Sequence, residues 1–268
     1  MAAHVGTPLQ FATDSGTAES SYSVPFTDGV AAGRLLVCSI ARTYTSAGGE
    51  IPLTGISDDA GNTWQYVGLS STGTSSTVIG YVAVCYVTSP ISQGDELHVS
   101  FDGTQGRCAI VVEEFDAAPA NPAALVEAFA ASHVTSAQSA VAAAEVSFTA
   151  PALVVCCIAG GGQTNQLSTV GAGWQALTRV GTVQPTSSYR FTQQMWTEAG
   201  VSPLTASGTF TANTTHASLT IAIPLGDGPE PPPVGGPQFA EWDGTQLVPL
   251  TPMQWDGEKL VPLEVKMF

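Results

Sequence analysis

Four histidines, five cysteines, two groups of neighbouring carboxylates and five tryptophans are the side chains whose types could do chemistry in this chain. His4, His98, His133 and His216 form no H-x-H or H-E-x-x-H pairing, so their spacing gives no zinc site. Gly160-Gly161-Gly162 follows an apolar run, but Gln163-Thr164-Asn165 comes next, with no lysine and no helix opening, so it is not a phosphate loop. There is no G-x-S-x-G, and no cysteine has a histidine placed beside it by a local signature. These residues therefore assign no catalytic group, no cofactor and no metal. Glu113 and Glu114 point to opposite faces of a strand and cannot act as one carboxylate pair. Asp58, Asp59 and Asn62 offer oxygens to a cation but lack the twelve-residue calcium loop, and a Gly-Asn turn between two strands is the favoured account of them. Trp64, Trp174 and Trp196 are candidates for stacking on a sugar ring, or for the core of a sandwich.

The elements that carry these residues are short apolar runs about ten residues apart, broken by Gly, Asn, Asp and Ser, which predicts an all-β sandwich or barrel. The expected strands are 34–42, 63–69, 77–88, 96–101 and 109–115, then 152–159, 174–180, 189–198, 204–210 and 218–225. Trp64 and Trp174, and Tyr86 and Trp196, match at an offset of 110, and Leu36-Val37-Cys38 matches Val154-Val155-Cys156. That repetition has two readings: duplicated halves, about 1–117 and 145–225, or the general likeness of sandwich strands. With no evident means for either half to close alone, one interlaced two-sheet sandwich over 1–225 is expected. The Ala-rich stretch 117–144 is expected to connect the halves, with helical propensity over 137–145 and an edge strand near 144–148.

Composition limits the partners. The chain has 268 residues, 44% hydrophobic and only 11% charged, with 7 Lys+Arg against 22 Asp+Glu and a net charge of −15. That charge argues against nucleic acid and other polyanions. The N-terminus lacks the basic and apolar regions of a secretory signal, and the most apolar stretch, 151–162, falls short of the ~20 residues that cross a bilayer, so no signal peptide and no membrane insertion are expected. Five cysteines without C-x-x-C spacing suggest buried free thiols.

Residues 226–237 hold five prolines and four glycines and form a linker. Beyond it, in 238–268, Trp242-Asp-Gly-Thr-Gln-Leu-Val-Pro-Leu250 recurs 13 positions later as Trp255-Asp-Gly-Glu-Lys-Leu-Val-Pro-Leu263, with seven of nine positions identical. Asp-Gly between an aromatic and an apolar run is a hairpin signal, so two tiny hairpins are expected. Trp242, Leu247, Leu250, Trp255, Leu260 and Leu263 form an apolar set too large to leave wet and too small for a core, and hence a protein-docking element.

Two patterns resemble known families. Ala32-Gly-Arg-Leu-Leu-Val37, Ile56-Ser-Asp-Asp-Ala-Gly-Asn-Thr-Trp64 and Glu113-Glu-Phe115 resemble, in that order, a β-sandwich domain of phage tail proteins and bacterial surface proteins. The family pattern commonly has Asn where Arg34 stands and Tyr where Trp64 stands. The tandem W-D-G-x-x-L-V-P-L ending is similar to C-terminal repeats of minor tail proteins from phages of actinobacteria. The resemblance implies a non-enzymatic virion structural protein assembled in the host cytoplasm, with a jelly-roll-like antiparallel sandwich displayed and the repeat as anchor. Its expected partners are other virion proteins and copies of itself, a trimer being favoured, with a host surface glycan as a further candidate. A carbohydrate-binding host-attachment module and a head decoration protein are the alternatives.

Overall fold

The computed structural model describes residues 2–13, 19–44, 52–72, 77–105, 107–161, 165–181, 190–226, 240–242, 247–249, 253–255 and 260–262. Among these the protein is all-β, with antiparallel sheets and no helix. The chain divides into two compact units, Met1–Gly228 and Pro229–Phe268.

The first unit begins with β1 (Ala3–Thr13), β2 (Glu19–Pro25), β3 (Leu35–Tyr44), β4 (Leu53–Asp58), β5 (Trp64–Ser71), β6 (Thr77–Tyr86), β7 (Glu96–Gln105) and β8 (Cys108–Asp116). They form a five-stranded sheet, β1-β8-β3-β6-β5, and a three-stranded sheet, β2-β7-β4. The chain continues with β9 (Ala128–His133), β10 (Gln138–Ala140), β11 (Glu145–Val146), β12 (Ala152–Gly161), β13 (Leu167–Val170), β14 (Gln175–Ala176), β15 (Val180–Gly181), β16 (Arg190–Ala199), β17 (Leu204–Thr205), β18 (Gly208–Thr214) and β19 (His216–Pro224). These give β14-β16-β12-β19-β9, with β15 also on β16, a three-stranded sheet β10-β18-β13 and the small pair β11-β17.

The second strand order repeats the first. β9, β19, β12 and β16 stand where β1, β8, β3 and β6 stand, with β14 and β15 together in the place of β5, and β10-β18-β13 in the place of β2-β7-β4. Register makes the correspondence residue-specific. Val37 faces Val84 and Glu113 across its ladder, and Val155 faces Trp196 and Ile221. Trp196 therefore corresponds to Val84, two residues from the Tyr86 expected from the sequence. No β-ladder joins the two sets among the described residues. Within the one compact unit the sheets therefore fall into two sandwiches, each with its own core and with no ladder interlacing them.

Three cores follow from the period of two along a strand. Leu36, Cys38 and Ile40 face Val24, Leu97 and Val99 inside the first sandwich. Val154, Cys156 and Ile158 meet Trp174, Phe191 and Phe210 inside the second. The alternate residues Leu35, Val37, Val82 and Val84 pack against Leu153, Val155, Leu219 and Ile221 where the two large sheets meet. Both faces of these sheets are covered, which explains why β3, β6, β8, β12 and β19 are continuous apolar runs instead of alternating ones. Each fully buried Leu, Ile or Val contributes roughly 1.5–3 kcal/mol. The sheets approach so closely at Gly80 that an added Cβ would lie 2.8 Å from Ala159 Cβ.

The stretch 117–144 contains β9 and β10 and no helix. The segment with helical propensity, 137–145, holds β10, whose ladder with β18 is a tertiary pairing that outweighs propensity, and β9 upstream pairs with β19. Near 144–148 the strand is the two-residue β11, paired with β17. The second unit holds β20 (Ala240–Trp242) paired with β21 (Leu247–Pro249), and β22 (Met253–Trp255) paired with β23 (Leu260–Pro262).

Candidate functional site

The three tryptophans offered for sugar stacking are all interior. Trp64 (9% exposed) belongs to the first sandwich core, Trp174 (7%) to the second, and Trp196 (6%) to the seam between them, edge-on to Phe115 at 5.5 Å. A sugar stacks on an open ring face, and these faces are covered by core side chains, so the glycan-contact assignment is corrected to core packing. Among the described residues the exposed large apolar side chains are Val5, Tyr66, Phe129 and Val201, and nothing in the sequence pattern singled them out.

The Asp58–Asn62 segment is a polar staple. Asp58 Oδ2 accepts from Trp64 Nε1 at 2.7 Å, and its Oδ1 from the Asn62 backbone N–H at 3.1 Å and Asn62 Nδ2 at 3.3 Å. Asn62 Oδ1 accepts from the N–H groups of Thr88 (2.9 Å) and Ser89 (2.8 Å), while its Nδ2 donates to Ser89 O at 3.0 Å. Gly61 supplies the positive φ (76°) that the turn requires. Oxygens turned onto protein donors in this way are not offered to a cation, so Asp58 and Asn62 lock the β4–β5 turn to the 88–89 loop.

Asp59 points the other way. Its Oδ1 pairs with His98 Nε2 at 2.8 Å and its Oδ2 accepts from Glu96 N–H at 2.9 Å, while His98 Nδ1 meets Ser23 Oγ at 2.9 Å. The His98 bond, then the Glu96 N–H, hold the Asp59 carboxyl below the usual carboxylate range. Asp59, Glu96 and His98 form the one group of three metal-type ligands found among the described residues, with ligand atoms within 4.8 Å of one another. They are already bonded as an exposed bracket between the β4–β5 turn and β7.

His216 and the thiols sit in structural surroundings. His216 is buried; its Nε2 accepts from Ala142 N–H at 2.9 Å and its Nδ1–H donates to Thr214 O at 3.3 Å, while burial lowers its pKa. All five cysteines are free and buried, and burial pushes their thiols up. Glu113 lies fully buried in the seam and Glu114 faces the opposite side near Arg34, as their strand parity requires. No helix among the described residues is long and apolar enough to cross a membrane.

Of the docking set, Trp242 is the cross-strand partner of Leu247, and Trp255 that of Leu260, so the two repeats share one register. Leu250 and Leu263 lie outside the described residues. Pro249 and Pro262 close each hairpin against Ala240 and Met253. No family model matches the chain, and neither a curated protein nor a solved structure matches it.

Proposed function

We propose that this chain is a non-enzymatic virion structural protein, a minor tail or tail-tip subunit whose paired sandwiches are displayed on the particle and whose residues 238–268 anchor it. The observation that carries this reading is the tandem repeat: two hairpins of identical register, each with three-residue strands, following a Pro/Gly linker. Isolated two-stranded hairpins are marginally stable in water, so a repeated pair rich in Trp and Leu needs a protein surface to cover it. Other virion proteins, or copies of this chain around a threefold axis, fit that need. The resemblance of the repeat to tail-protein endings favours the tail over the head. With Trp64, Trp174 and Trp196 interior, host-glycan contact loses the residues that supported it.

The test is to replace Trp242 and Trp255 together by alanine and to assemble particles in the presence of the variant. The expected result is a chain that melts as the parent does but is absent from purified particles. Incorporation at the parental level would refute the anchoring role.

A further inference from the structure

The seam between the sandwiches has an apolar core, and beside it lies a group of buried polar side chains. Glu113 (β8) is 0% exposed, and its Oε2 accepts from Thr7 Oγ1 at 2.7 Å and His4 Nε2 at 2.8 Å. Its Oε1 has no hydrogen-bond partner. Gln194 (β16), also 0% exposed, donates from Nε2 across the seam to Val37 O at 3.1 Å, and its Oε1 has no partner either. Val37 is the ladder partner of Glu113, and Cys157 is that of Gln194. Gln194 thus bonds the backbone of the residue that neighbours Glu113, which puts the two unmatched oxygens in the same part of the seam.

With the carboxyl ionised, two acceptors cannot satisfy each other. The nearby hydroxyls of Ser39 and Thr192 are bonded together, and Thr7 and His4 are committed to Oε2. A buried acceptor left bare costs about 1–3 kcal/mol, more when charged. The Trp196 indole N–H, two residues along β16 from Gln194, is a buried donor without an acceptor. The internal repeat supplies a comparison, because the positions equivalent to Glu113 and Gln194 are Ile221 and Val82, which meet in the same seam as plain apolar packing. The fold therefore does not require polarity here.

We propose that the seam binds one internal water molecule, which donates to Glu113 Oε1 and Gln194 Oε1 and accepts from Trp196 Nε1. Three bonds to otherwise unmatched buried groups is the ordinary coordination of a structural water. The site ties β1 and β8 of the first sandwich to β16 of the second and makes the two sides of the seam unequal.

Counting long-lived waters by ²H magnetic relaxation dispersion on the full chain tests this. The Glu113→Ile/Gln194→Val variant, which copies the equivalent apolar pair, should fold and hold one long-lived water fewer than the parent. Should that variant fail to fold, Glu113→Gln should give the same loss, since its amide can donate directly to Gln194 Oε1. An unchanged count would overturn the proposal. So would a crystal structure of the parent with Glu113 Oε1 bonded directly to Gln194 or Cys157 and no solvent between them.

Discussion

The two sandwiches share a strand order and solve the same local problems with different chemistry. In the first, the turn before Trp64 is held by Asp58 and Asn62, which bond the indole, the turn and the 88–89 loop. In the second, the equivalent turn before Trp174 is held by glycines and close packing. Gly171 N–H donates to Ser207 O at 2.8 Å, Trp174 N–H to Gly171 O at 3.0 Å, and Gly173 takes φ 83°. The strand that follows is eight residues in β5 but is split into β14 and β15 in the second sandwich. The first edge strand carries an irregularity between Tyr66 and Gly68 yet remains one ladder, while the second is in two pieces.

That contrast can be broken in order of expected effect. Trp64→Ala and Trp174→Ala should each lower stability by about 3–5 kcal/mol, since each empties an equivalent core position. Denaturant unfolding reads the loss, and a variant at parental stability would show that the ring is not core. Asp58→Ala should cost about 3 kcal/mol by leaving the Trp64 indole and the Asn62 amide unmatched, with no counterpart in the second sandwich. Gly171→Ala should cost about 1 kcal/mol. Its added Cβ would lie 2.2 Å from Ser207 Oγ, so Ser207→Ala in the same chain should restore most of the loss. A double variant no better than the single would place the strain elsewhere.

The smallest effect concerns acid. His216 begins β19 where Cys108 begins β8, since Gly160 and Arg42 are their equivalent ladder partners. Burial lowers the His216 pKa below its ordinary value of about 6.5. As pH falls through that value the unfolded chain takes up a proton that the folded chain resists, so stability declines toward acid and is unaffected above neutrality. The buried Cys108 thiol, pushed up to about 12, adds nothing in that range. His216→Gln, which can still accept from Ala142, should flatten the decline between pH 7 and pH 5.5, read by denaturant unfolding. An unchanged slope would assign the decline to carboxylates.

Much of the fold was legible because the central strands are apolar runs bounded by Gly, Asn and Asp. Expected strands 34–42, 77–88, 109–115, 152–159 and 189–198 lie on β3, β6, β8, β12 and β16. β1 escaped notice because Gly6 and Pro8 interrupt it. Both fall at its register shifts on an edge strand, where a missing donor is tolerated. β9 lies in the stretch expected only to connect the halves, because its Ala-rich sequence carries no strand pattern until β19 is there to pair with it. The unbroken apolarity of β3, β8, β12 and β19 marks sheets covered on both faces, since a sheet with one wet face would alternate, although a single two-sheet sandwich was expected. The tryptophans were visible as residue types, but their burial depends on which sheet covers them, and that is a property of topology. The Asp58–Asn62 turn was legible as a turn, while its bond to Trp64 spans six residues and needed the fold.

The central claim is that residues 1–226 fold without the C-terminal repeat and that the repeat is the anchor. Its most direct test is a chain lacking residues 238–268, measured for melting and for incorporation into particles in the same preparation. An unchanged melting temperature together with loss from particles is the predicted result, and a truncated chain that still enters particles would contradict it.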